Sequence, residues 1–392
     1  MLLSVVVYSG MAIVLFALAW HLKVREETQM AAGDGGEVAW WRSWELHLSV
    51  LLIAIIAGAR YHTGFDHAAY LADYHFVGVS GDFLRHDYEW GFEAITRLFS
   101  ALHIHFFFYF AFWAALQFGM LYYGLRHHKF LIPWFAAYLF LGPYFIHAMN
   151  TMRQAVVECA FVAMVPLIIE RRFWVYLCCA LLASTIHIAG LLLIPLYLIG
   201  DVRIKQFLPK FLKNRYTLLV ILLLCVLAGL RPIWMRYVAD GFSKIVQYTT
   251  FSHYSLTIDA FQNGEFRHMA WGPSRISNLL LAIIAIFSYP LIRRWRKNDT
   301  FFIIAFTFCF IGLCFKNLLV NTAVFVLRPF ELLTVFFPII IAYVFSYYYK
   351  RRIIIPLLIV GLLSYTYIFI EIYKAVYRPT KEIVPTLYHV FF

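Results

Sequence analysis

FWVYLCCALLASTIHIAGLLLIPLYLIG, residues 173–200, is too long an apolar run for one membrane crossing and too short for two ordinary ones. Arg171 and Arg172 precede it, and Arg203, Lys205, Lys210, Lys213 and Arg215 follow it. Short basic loops mark the cytoplasmic side of a membrane protein. With both flanks on that side, the run has to enter the bilayer and return. The expected form is a broken hairpin of two short half-helices, with His187 near the turn and Ser184, Thr185, Gly190 and Pro195 to break the helix. Non-helical backbone at that depth is tolerated only where protein or a cavity surrounds it.

Outward from the hairpin, apolar runs of membrane-spanning length cover 2–22, 44–60, 103–125, 130–149, 152–169, 216–232, 275–292, 300–318, 328–348 and 353–373. Of the 392 residues, 63% are apolar and only 14% charged. A soluble domain has about a quarter of its residues charged, and no soluble core would hide this much apolar surface. The expected fold is therefore an all-α, polytopic transmembrane bundle of about 11–12 segments, the hairpin counted as two. It forms a single membrane domain over 1–392, and an even count puts both termini on the outer face. The first run is read as a retained helix, since it has neither a positive start nor a cleavage site.

The net charge of +12 comes from basic loops, such as Arg293, Arg294, Arg296 and Lys297, or Lys350, Arg351 and Arg352, and no nucleic-acid-binding module accompanies it. Loops near 126–129, 170–172, 201–215, 293–297 and 350–352 fall on one side, together with 23–43 despite its acidic residues. The other side carries two large segments. The first, 61–101, is acidic up to residue 90 and then runs into GFEAITRLFSA (91–101), where Phe92, Ile95, Leu98 and Phe99 share one face of an interfacial helix. The second, 231–274, is a large outer loop rich in Tyr and Trp. The six Cys lie in apolar runs and form no C-x-x-C pair, which suits small packing residues.

Polar residues near the outer span ends are the candidates for chemistry: Asp66, Glu89, Arg153, His187, Arg275, Lys316 and Arg328. Arg153 and Arg328 have forked guanidiniums suited to phosphate, or they anchor at the interface. Pro329 is expected at a first helical position, and Glu331 one turn on is an available partner for Arg328. His187 is a base or phosphate donor, or a satisfied core histidine. Asp66 and Glu89 are proton acceptors, or helix caps. His62, Asp66, His67 and His75 match no compact metal-ligand spacing, and His103-x-His105 reads as interfacial. No Walker loop, dinucleotide fingerprint or nucleophile elbow is present.

Four blocks, GFDHAAY (64–70), YEWGF (88–92), NTMRQ (150–154) and ASTIH (183–187), resemble in order the successive blocks of EpsG-family membrane proteins, which are similar to Wzy-type polysaccharide polymerases. The pattern departs at Trp90, where proline is expected. The resemblance implies a GT-C-like bundle in the bacterial inner membrane, with its active site facing the periplasm or exterior. It implies a reaction in which the sugar hydroxyl of one polyprenyl-diphosphate-linked repeat unit attacks the anomeric carbon of another, and polyprenyl diphosphate leaves. No cofactor or metal is expected. Arg153 and Arg328, with Arg275 or Lys316, would hold phosphates, and Tyr70, Asn150 and Gln154 would add substrate contacts. Asp66, His187 or Glu89 would take the proton. The implied partners are the lipid-linked oligosaccharide, membrane lipid, a flippase and a chain-length regulator. Two other readings are a transporter of lipid-linked or anionic solute, which would line a path to both faces, and an acyltransferase using His187.

Overall fold

The computed structural model describes residues 2–31, 42–60, 66–84, 88–200, 214–230, 272–321 and 324–377. Most of the outer segment 231–274, most of the basic segment 201–215 and the tail from 378 onward lie outside the described residues, as does His62. What is described is helical, and the chain is an all-α, polytopic membrane protein.

In chain order the helices are α1 (Leu2–Ala31), α2 (Trp44–Ala59), α3 (His67–Ser80), α4 (Trp90–Ala101), α5 (Phe106–Gly124), α6 (Ile132–Leu141), α7 (Tyr144–Asn150), α8 (Met152–Ile169), α9 (Phe173–Ser184), α10 (Leu193–Gly200), α11 (Arg215–Leu230), α12 (Pro273–Trp295), α13 (Thr300–Leu318), α14 (Val324–Thr334), α15 (Phe336–Lys350) and α16 (Ile354–Tyr377). Among the described residues, 7 helices are long and apolar enough to cross a membrane, or 8 if the bent pair α6–α7 is one span. Shorter apolar helices at 44–59, 173–184, 188–200 and 215–230 supply the remaining segments.

Three elements depart from the sequence reading. The run 130–149 bends by 62° between α6 and α7, at Gly142–Pro143. A Cβ on Gly142 would lie 2.7 Å from the Tyr138 ring, and Pro143 caps the new helix. The acidic segment 61–90 contains a helix, α3, packed on α4. Pro329 lies inside α14 rather than at its start, because the helix begins at Val324. On α4 the buried stripe runs through Phe92, Thr96 and Ser100, while Leu98 is exposed. Thr96 and Ser100 can be buried because their hydroxyls bond the Phe92 and Tyr74 carbonyls.

The two ends of the bundle differ. At one end Lys129 pairs with Glu26, Arg25 and His21 with Glu45, and His128 with Asp299. The basic loops therefore meet the end of α1 and the start of α2. At the other end a separate aromatic core of Tyr70, Tyr74, Tyr88, Phe92, Tyr109, Phe110 and Trp113 packs α3 and α4 on α5, α8 and Ile186. Arg60 closes α2 there by donating to the Met149 carbonyl at 2.7 Å.

The segment 173–200 goes up and comes back. After α9 the helix breaks at Thr185–His187, a 3-10 turn covers Ile188–Leu192, and α10 returns. The two arms pack together. The Tyr176 hydroxyl donates to the Leu193 carbonyl at 2.7 Å, and the Tyr176 and Tyr197 rings lie 5.1 Å apart. The foot of the hairpin, Gly200, sits on Ile168 at the far end of α8.

Candidate functional site

Glu89 precedes α4 in extended conformation, as an N-cap should, but its carboxylate bonds none of that helix's first amides. One oxygen accepts from Arg153 and the other accepts the Ile188 amide at 2.7 Å. The capping reading therefore gives way to a bridge between α8 and the hairpin tip. The main chain reinforces it, with the Gly91 and Phe92 amides donating to the Thr185 carbonyl at 2.9 and 3.3 Å. A Cβ on Gly91 would lie 2.4 Å from the Thr185 hydroxyl, so the YEWGF block needs glycine at this contact.

Arg153 enters this junction from the first turn of α8, its side chain only 12% exposed. Its guanidinium lies over Tyr88 at 4.5 Å and Phe92 at 5.5 Å. It also interacts with the Tyr70 hydroxyl. Tyr88 is held in turn by buried Asp73, which accepts its hydroxyl and the Leu84 amide. Asp66 lies one turn before Tyr70, whose amide donates to the Asp66 carbonyl at 3.0 Å. The Asp66 side chain makes no helix-capping bond.

His187 stands at the break in extended conformation, φ −155° and ψ 132°. Its Nδ1 accepts the Ala189 amide at 3.1 Å. In the neutral ring Nε2 then carries the proton and is a donor. Arg153 and Arg328 both act electrostatically on this ring. The Nε of Arg328 is buried and bonds nothing among the described residues. Among those residues no carboxylate pairs with Arg328, and Glu331, its expected partner, faces His147 instead. Arg328 is fixed through its backbone, whose carbonyl accepts Gln154 Nε2 at 3.2 Å.

Gln154 leads to a second polar nest that the sequence reading did not single out. The same amide donates to Glu158 at 3.0 Å. His147 Nε2 lies 2.9 and 3.2 Å from the two oxygens of Glu158, and the Thr151 hydroxyl is 3.2 Å from that nitrogen. Glu158 is 0% exposed in the interior of a spanning helix. A carboxylate there is costly unless paired, so its partners are part of its design. The charges of Lys316, in the last turn of α13, and Glu331, in α14, both act on His147. The signal was present in the sequence: His147, Thr151, Gln154 and Glu158 are spaced by four, three and four, a polar stripe at helical period in an apolar run.

Other candidates lie elsewhere. Arg275 lies in the first turn of α12, which packs on α11, α13, α15 and α16. Asn150 closes α7 beside Thr151. His67 is buried and stacked on Phe110 at 4.6 Å, a packing role. Among the described residues no three His, Cys, Asp or Glu side chains gather as metal ligands.

This geometry joins residues 66–70, 88–92, 150–154 and 183–187 at one end of the bundle, and the EpsG family model matches residues 44–386, which include all four sequence blocks. The chain belongs to the EpsG family. EpsG is a Wzy-type, polymerase-like family of membrane proteins. No curated protein and no solved structure matches the chain. In this EpsG-family protein both polar nests fall inside the matched region.

Proposed function

We propose that this EpsG-family protein polymerises polyprenyl-diphosphate-linked oligosaccharide repeat units. The observation that carries the reading is the joining of Arg153 to the broken hairpin through Glu89, with the charges of Arg153 and Arg328 both acting on His187 and Arg328 lacking a carboxylate among the described residues. Glu89 offsets one of the two positive charges. The site therefore keeps an excess cation for a diphosphate, beside the exposed apolar side chains of Leu182, Ile188 and Leu191. A prenyl tail can lie on that surface while its headgroup reaches the arginines.

In the reaction, a sugar hydroxyl of the acceptor unit attacks the anomeric carbon of the donor glycan. A carbon–oxygen bond forms, the bond to phosphate breaks, and its electron pair leaves with polyprenyl diphosphate. Arg153 and Arg328 stabilise the charge that develops on the leaving oxygens. His187 Nε2–H donates to the same oxygens; an imidazolium there would face two guanidiniums, so it is better placed as donor than as base. The acceptor proton goes to a carboxylate or imidazole nearby; Glu89 already holds Arg153. The basic loops lie at the opposite end, which supports an inner-membrane protein with its site toward the periplasm or exterior. A flippase would deliver the substrate and a chain-length regulator would set product size.

The test is reconstitution in vesicles with a polyprenyl-diphosphate repeat unit and no nucleotide. Products longer than one repeat are expected, and laddering should be lost in Arg153→Ala and Arg328→Ala. Movement of substrate across the membrane without new linkages would overturn polymerisation in favour of transport. Wild-type ladders from both variants would overturn the arginine clamp.

A further inference from the structure

We infer that His147, oriented by Glu158, is the base that takes the acceptor's proton. The inference rests on the polymerase reading and completes it. Three histidine and carboxylate candidates at this end have prior engagements: His187 has its Nδ1 lone pair occupied by the Ala189 amide, Glu89 spans Arg153 and Ile188, and Asp73 holds Tyr88. His147 is arranged the other way round. Its Nε2 points at Glu158, and no hydrogen bond among the described residues occupies Nδ1. A buried carboxylate behind one ring nitrogen fixes the tautomer, leaves a lone pair on the other, and stabilises the imidazolium once a proton arrives. The ring is 22% exposed, whereas the carboxylate behind it is wholly buried. The dyad thus pairs a wholly buried carboxylate with a partly exposed imidazole.

Its place fits the chemistry. Gln154 bonds both Glu158 and the Arg328 carbonyl, so a single side chain separates the dyad from the backbone that carries Arg328. The donor diphosphate at Arg153, Arg328 and His187 and the acceptor hydroxyl at His147 would lie on two sides of the first turn of α8. The charged groups that face His147 are Glu158 from α8, Glu331 from α14 and Lys316 from α13. In the step, the acceptor O–H proton passes to His147 Nδ1 as its oxygen bonds the anomeric carbon, and the electron pair of the broken bond leaves on polyprenyl diphosphate. Glu158 touches no reacting atom; it is a positioning residue.

The experiment measures transfer rate against pH in vesicles with defined donor and acceptor units. Wild-type protein should show an acid limb, where protonation of the base removes activity. His147→Gln should lower kcat by roughly 10²–10⁴-fold, abolish that limb and leave the donor KM unchanged. Glu158→Gln should lower kcat at unchanged donor KM, and Glu158→Asp should recover part of it. If His147→Gln fails to fold because Glu158 is left unpartnered, the double variant His147→Gln, Glu158→Gln removes the buried charge too and carries the same expectation. Wild-type kcat and an intact acid limb in either variant would overturn the inference. So would loss of the limb in Asp66→Asn with His147→Gln unaffected. No product from the wild-type protein would instead fail the polymerase reading, and this inference with it.

Discussion

At Arg328 and Gly91 single atoms decide what the site can hold. Arg328 brings a buried Nε with no described partner to a site shared with Arg153. A planar fork can bridge two phosphate oxygens, whereas lysine offers one point charge. Arg328→Lys should therefore raise the donor KM several-fold while the protein keeps its melting temperature; an unchanged KM would show that only charge matters there. Gly91 is the contact point of α4 and the hairpin, with a Cβ that would sit 2.8 Å from the Thr185 carbonyl. Gly91→Ala should destabilise the protein by about 1–3 kcal/mol, read as a lower melting temperature in detergent, and should shorten the polymer ladder. Sequence alone showed which residue types were available, and block order placed Asp66, Glu89, Arg153 and His187 together. It did not show that Glu89 reaches across to Ile188, because a residue before a helix looks like a cap whichever way its carboxylate turns. It also missed His147 and Glu158, since each lies in a run read as an unremarkable span.

At the level of elements, helix ends do the joining. Asp299 caps α13 by accepting the Phe302 amide at 3.0 Å, accepts the Tyr343 hydroxyl at 2.9 Å, and meets His128 at 3.4 Å. One carboxylate therefore links α13, α15 and the turn after α5. Burial acts to raise its pKa, but the bonds from His128, Phe302 and Tyr343 outweigh burial and hold it below the usual carboxylate value. A depressed carboxylate contributes stability that is complete above its unfolded pKa and is lost as pH falls through its folded one. Unfolding of the wild-type protein in detergent should thus become easier below about pH 4. Asp299→Asn should cost about 1–2 kcal/mol at neutral pH and flatten that acid dependence; an equal slope in both proteins would place the acid sensitivity elsewhere. The spans themselves were legible from apolar runs, because run length and hydropathy report directly on bilayer thickness. The bend at Gly142–Pro143 and helix α3 were not, since a bent span keeps its apolar composition and α3 carries polar residues on both faces.

Across the whole molecule, charge and chemistry are segregated. Glu26, Glu45, Lys129 and Asp299 tie together the end where the basic loops gather, while Glu89, Arg153, His187 and Arg328 meet at the other. In sealed vesicles, with the native cysteines replaced, Lys297→Cys and Leu102→Cys should react with an impermeant reagent from opposite sides; both positions are exposed. Reaction from the same side would contradict the segregation.

The hairpin also has a consequence for biogenesis. An α9 arm of 12 residues reaches only about 18 Å, less than the roughly 30 Å hydrocarbon core. Neither arm can be released into lipid as an independent span during synthesis. The arms have to leave the insertion machinery together, and the tip is bonded to Glu89, Gly91 and Phe92, made about a hundred residues earlier on the ribosome. A reporter fused just after His187 would remove the returning arm, strand the first, and report a sidedness that the intact protein never has.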